Sequence, residues 1–271
     1  LEAADTDPSE LDSKLQQANV DTQSFERFVV DAGPAGVRLT NQLSANDLKR
    51  LFDYDGAGDQ KMLTRLSTVY DNGELSAGQI ETFSRDLDAL RRADVDGVEH
   101  VIHEDIVKNG EGSNVRGAVY EFRTANARVD DLDDIQVIGK EIETVKYNDL
   151  NDAQIEQLIK EIEFKDSTSF KEKKEDIQDV LSPTSYGQTK ETEIDILLKN
   201  GDYLEAKSGE VEYIDIRDKV IRYKAAQMNR DISPPDGNMR VIGTKGEFTD
   251  ARNGEPNKVG RFISDTRALR M

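Results

Sequence analysis

The chain has 271 residues, no cysteine, 36 Lys plus Arg against 55 Asp plus Glu, and a formal net charge of −19. This composition excludes a disulfide framework and a thiolate metal site, and no apolar run approaches the roughly 18 residues that a membrane helix needs. The length allows one large domain or two smaller ones, each with enough chain for a core.

Residues 1–110 read as a bundle of short amphipathic helices. "DPSELDSKLQQAN" opens on Asp7 as an N-cap with Pro8 in the first turn, and "LSAGQIETFSRDLDALRRA" opens on Ser76 with Gln79 three residues on, a capping box. Between them, "TQSFERFVVDAG", "SANDLKRLFDY" and "QKMLTRLSTVY" each end in Gly, Asp or Asn signals. This half carries no evident chemistry. Asp53, Asp55, Gly58 and Asp59 suggest a calcium loop, but Thr64 stands where the twelfth-position Glu is required. His100 and His103 share a helix face beside Glu99 and Glu104 without a third well-placed ligand, which favours a role at the domain junction.

The Gly- and Ser-rich "GEGSN", residues 110–114, is the best boundary between two domains, 1–110 and 111–271. Beyond it, "NVRGAVYEFRTANAR" (114–128) predicts a helix carrying Glu121, and "DIQVIGKEIE" a strand. An amphipathic helix follows, with Ile155, Leu158, Ile159 and Ile162 on one side. Residues 164–190 are charged, poor in apolar residues and contain Pro183, so they predict a surface insertion or mobile loop, within an insertion spanning about 149–190.

"ETEIDILLKNGDYLEAKSGE" (191–210) predicts a β-hairpin turning at Lys199-Asn200-Gly201. A three-residue loop with Gly201 left-handed sets Asp195 opposite Glu205 and Glu193 opposite Lys207. A two-residue Asn-Gly turn sets Asp195 opposite Ala206 instead. The first register separates the faces better, with Ile194, Ile196, Leu198, Leu204 and Ala206 on the apolar side. The charged face has a plain alternative explanation as the wet side of an ordinary hairpin.

After the hairpin, "YIDIRDKVIRYKAAQMNR" predicts a helix with an apolar side of Ile214, Val220, Ile221, Ala225 and Met228. Its Arg217, Lys219, Arg222, Lys224 and Arg230 supply charge. "MRVIGT" predicts a further strand and "VGRFISDTRALR" a terminal helix.

The string "EID", a turn and "YLEAK" resembles the P-D-(D/E)-x-K nucleases, the restriction-endonuclease-like superfamily. Asp195 matches the family's Asp, Glu205 its second acid, Ala206 the spacer and Lys207 its lysine; Ile194 stands where the family often has proline. The resemblance implies an α/β fold, a small helical bundle followed by an αβββαβ core, and a Mg²⁺-dependent phosphodiesterase in which Mn²⁺ or another divalent ion can substitute. It implies Glu121 as a third acid beside the metal ligands Asp195 and Glu205, and Gln227 as a helix polar group near the site. Hard carboxylate oxygens suit Mg²⁺, which keeps several waters, and a compact ammonium suits orienting a bound water beside a phosphate.

A helical unit ahead of such a core in a chain that starts at Leu1 resembles the toxin tips of polymorphic and contact-dependent inhibition systems. That resemblance implies release from a larger secreted protein and delivery into a target cell. It also implies a nucleic-acid substrate, DNA ahead of tRNA, a cognate immunity protein as partner, and a monomer when free. A housekeeping junction-resolving or restriction-like nuclease and a non-catalytic interaction protein are the alternatives. The acidity argues against a nucleic-acid binder, yet from Lys207 onward the chain holds 13 Lys plus Arg against 10 Asp plus Glu. The acidic remainder suggests a surface adapted to high salt, where a Debye length of about 3 Å screens long-range repulsion.

Overall fold

The computed structural model describes residues 7–55, 61–110, 112–162, 168–182, 191–207, 213–228, 239–242, 247–250 and 259–263. The chain is mixed α/β and divides into two units between Asp133 and Asp134.

The N-terminal unit is helical: α1 (Pro8–Gln17), α2 (Thr22–Gln42), α3 (Ala45–Asp55), α4 (Lys61–Asp71), α5 (Ala77–Arg92), α6 (Val98–Val101) and α7 (Gly112–Arg128). Asp7 caps α1 by accepting from the Ser9 N–H, and Ser76 and Gln79 form the capping box of α5. Helix α2 does not stop at Gly33. That residue takes φ 60°, a left-handed conformation glycine tolerates, and the helix resumes through Pro34, whose missing N–H costs nothing at the start of a helical segment. The apolar stripes meet in a core that includes Phe28, Leu39, Met62, Leu66, Phe83 and Phe122, with Phe83 and Phe122 stacked at 5.6 Å. Ile102–Lys108 form a π-helical segment after α6, so His100 and His103 do not follow one α-helical face. His103 Nδ1 instead lies 3.0 Å from Glu104 Oε1. Gly58 and Asp59 of the calcium-loop pattern lie outside the described residues.

Asp86 on α5 is buried in this unit, and its Oδ2 has no hydrogen-bond partner among the described residues. Burial pushes its carboxyl up to about 6 from the ordinary 3.8, although Arg123 and Arg85 pull the other way. The native state therefore holds a proton between about pH 4 and 6 that the unfolded chain has released, and stability falls as pH rises through that window. Asp86→Asn removes the titration. We expect the stability of the variant relative to wild type to grow by on the order of 1–2 kcal/mol from pH 4 to 6, then level off, in urea titrations at fixed ionic strength.

The C-terminal unit holds β1 (Ile135–Glu143), α8 (Asp152–Glu161), α9 (Phe170–Leu181), β2 (Glu191–Leu198), β3 (Tyr203–Ala206), α10 (Tyr213–Met228), β4 (Met239–Ile242), β5 (Glu247–Asp250) and β6 (Val259–Ile263). The strands form one sheet in chain order, β1 to β6. Every neighbouring pair is antiparallel except β3 and β4, which run parallel and are joined across α10.

The β2–β3 turn has three loop residues. Leu198 N–H donates to the Asp202 carbonyl at 2.8 Å, and Gly201 sits at φ 87°. Ile196 pairs with Leu204 and Leu197 with Tyr203, and the same register carries Asp195 across from Glu205. Both faces of the hairpin are covered. Leu197, Tyr203, Val220, Tyr223 and Ala226 pack between one face and α10, while Ile196 and Leu204 on the other are fully buried.

Two expectations are corrected. Residues 164–190 are not simply a loop: Ser169 and Glu172 form a capping box that starts α9, and its Ile177, Val180 and Leu181 pack with α8 and with Ile221 and Ala225 of α10. The apolar positions recur at helical spacing, diluted by exposed charges, and burial of that narrow stripe holds the helix in place. We expect Ile177→Val to cost about 1 kcal/mol in urea denaturation, where a surface loop site would change by less than about 0.5. Second, Val259–Ile263 is the edge strand β6 and not a helix, because its backbone finds a partner in β5. The remainder of that predicted helix lies outside the described residues.

Candidate active site: a carboxylate pair held by two lysines

The hairpin and α10 build the site together. β2 places Asp195 and β3 places Glu205, with side chains aimed at the face that α10 covers, and both residues are buried, at 4% and 1% exposure. Asp195 Oδ2 accepts the Ala206 N–H at 2.6 Å, so the acid of one strand is tied to the backbone of the next. Lys207 follows at the end of β3, where its own N–H donates to the Ile242 carbonyl at 2.8 Å and continues the ladder to β4. Its half-exposed side chain turns back, placing Nζ 2.5 Å from Glu205 Oε1. The hairpin face is therefore not a wet one.

The sequence reading missed two residues, both on α10. Lys219 Nζ lies 2.9 Å from Asp195 Oδ1 and 2.5 Å from Glu205 Oε2, bridging the two carboxylates. Tyr223, one turn later on the same helix face, sets its hydroxyl against the Glu193 carbonyl and 3.3 Å from Glu205 Oε2, and packs edge-on against Tyr203. The signal was the four-residue spacing of Lys219 and Tyr223, which puts a cation and a hydroxyl on one stripe.

Electrostatically the cluster is two carboxylates and two ammoniums. Burial pushes the Glu205 carboxyl up and neighbouring Asp195 adds to it, while Lys219 and Lys207 oppose. For Lys219, burial alone would lower the ammonium, but the two carboxylates outweigh it and hold it above its ordinary value. Burial raises the Tyr223 phenol, and the Glu205 and Asp195 charges raise it further, so its hydroxyl stays a donor. Removing one member of such a group leaves the charges of the others buried without compensation.

Glu121 is on α7, which belongs to the N-terminal unit and not with the sheet. Gln227 is on α10 a further turn beyond Tyr223 and partly exposed. Lys219 and Tyr223 of this helix reach the carboxylates.

Among the described residues no three His, Cys, Asp or Glu side chains gather to hold a metal ion. The pair Asp195 and Glu205 nonetheless suits Mg²⁺, which takes hard oxygens from one or two carboxylates and completes its shell with water. Glu205 Oε1 is buried, and the Lys207 ammonium lies 2.5 Å from it. The fit carries one condition: an ammonium already stands between the two acids.

No protein-family model, curated protein or solved structure matches this chain.

Proposed function

We propose that the C-terminal unit is a metal-dependent nuclease of the P-D-(D/E)-x-K type that hydrolyses phosphodiester bonds, with DNA the favoured substrate. The observation that carries this reading is the convergence of Asp195, Glu205 and Lys207: two acids on adjacent strands, bridged by one Nζ within 3 Å of both, and the lysine two residues on at 2.5 Å from the second acid. Within this unit, three antiparallel strands, a helix and a fourth strand parallel to the third fit the βββαβ part of such a core, with α8 and α9 inserted between the first two strands. In this reading Asp195 and Glu205 hold a divalent ion that supplies Lewis-acid charge at the phosphate. Lys207, half in solvent, orients the attacking water or neutralises the phosphoryl oxygens. Delivery into a competitor cell, and a cognate immunity protein that covers the site, belong to the same proposal and rest on a helical unit preceding the nuclease unit.

Lys219 favours a second reading, in which the cluster is a neutral buried ion-pair group that fixes α10 on the sheet and catalyses nothing. Incubation of the full chain with plasmid DNA and with total tRNA, in Mg²⁺ and in EDTA, at low and at molar salt, separates the two. Cleavage that needs both Mg²⁺ and Asp195 is the expected result. Intact substrate in every condition selects the structural reading.

A further inference from the structure

Lys219 and a divalent cation would claim the same two oxygens. Its Nζ touches one oxygen of each acid, Oδ1 of Asp195 and Oε2 of Glu205. Two cations held within a few ångströms in a poorly solvated pocket repel strongly, so occupancy by one weakens the other. Lys207 is placed differently. It contacts the opposite oxygen of Glu205, Oε1, and its side chain is 37% exposed, so it does not occupy the place between the two acids.

The helix that carries Lys219 is fixed by packing, whereas its ammonium is held through the two carboxylates. Val220, Ile221, Tyr223, Ala225 and Ala226 are all buried, which holds the backbone of α10 against the sheet on one side and α8 and α9 on the other. The Lys219 side chain keeps 19% of its surface exposed, and its four-carbon stem turns without moving the helix.

Resting on the nuclease reading, the geometry points to Lys219 as a built-in counter-ion: it holds the Asp195–Glu205 pair while no metal is bound and gives way to the divalent cation. The free protein is therefore a poor metal binder by construction, and removing the ammonium makes it a better one.

The test is Mn²⁺ binding to the full chain without nucleic acid, followed by the electron paramagnetic resonance signal of free Mn²⁺. Lys219→Met, close in length and uncharged, is expected to bind Mn²⁺ at least about tenfold more tightly than wild type, and to gain more thermal stability from added Mn²⁺. Lys207→Met is expected to change affinity much less, and Asp195→Asn is expected to abolish site binding in either background. Equal or weaker binding by Lys219→Met overturns the inference and leaves the nuclease reading standing. Absence of Asp195-dependent binding in wild type and Lys219→Met alike overturns both. If Lys219→Met fails to fold, Lys219→Arg carries the test: its forked guanidinium grips both carboxylates and should weaken Mn²⁺ binding about tenfold, and unchanged affinity overturns the inference.

Discussion

Asp195→Asn is expected to lower Mg²⁺-dependent cleavage by about a thousandfold or more while the chain still folds. The amide keeps the volume of the buried side chain and its oxygen can still accept the Ala206 N–H, now at 2.6 Å. What disappears is a hard anionic donor. A metal ion supplies several kcal/mol of transition-state stabilisation, and about 4 kcal/mol corresponds to roughly a thousandfold in rate. Single-turnover cleavage of labelled DNA at saturating Mg²⁺ measures it, with circular dichroism to show that the fold is kept. A variant that is folded and as active as wild type would remove Asp195 from the reaction. Asp195→Ala is a poorer test than it first looks, because the acid is buried and paired, and truncation leaves the Lys219 ammonium short of a partner as well as removing a ligand.

The second large effect falls on stability. Lys219→Ala should cost about 3–5 kcal/mol, because it strands two buried carboxylates, one of them 1% exposed. An exposed lysine in the middle of a helix would lose less than about 0.5 kcal/mol on the same change. The double variant Lys219→Ala with Glu205→Gln should recover a substantial part of the loss, since it removes one of the stranded charges. Urea midpoints of the wild type, the two single variants and the double variant close the cycle, and additive costs would mean that the bridge is not energetically real.

The sequence made some of this legible and hid the rest for physical reasons. The Asn200-Gly201 turn could be read because it is local chemistry: a loop of three residues needs a left-handed position, and Gly201 supplies it. Once the loop length was set, the pairing of Asp195 with Glu205 followed from the two-residue period of strands. The caps at Asp7 and Ser76 were legible for the same reason. Lys219 was not. On a helix with charges on both flanks of its apolar side, a lysine looks like solvent-facing decoration, and only the strand acids brought up against that face by the fold make it an interior group. Glu121 is on α7, which groups with the N-terminal helices, and chain order alone could not tell which unit the helix joins. Helix α9 was visible in principle, since Ser169 and Glu172 form a capping box and Ile177, Val180 and Leu181 fall at helical spacing. The surrounding lysines and glutamates lowered its mean hydropathy enough to suggest a loop.

The parallel pairing of β3 with β4 also sets an order of assembly. The hairpin closes over three residues and can form within microseconds, bringing Asp195 against the Ala206 N–H early. The β3–β4 ladder must wait for the whole of α10 to be laid down and docked, a non-local closure that is slow to nucleate. Until then the two acids face each other without Lys219, and mutual repulsion works against burying the hairpin. Docking of α10 supplies the missing charge and the covering surface in one event, so assembly of the four-charge cluster and docking of the helix are the same late step. A chain arrested before α10 would carry both acids without Lys219 or Tyr223 against them.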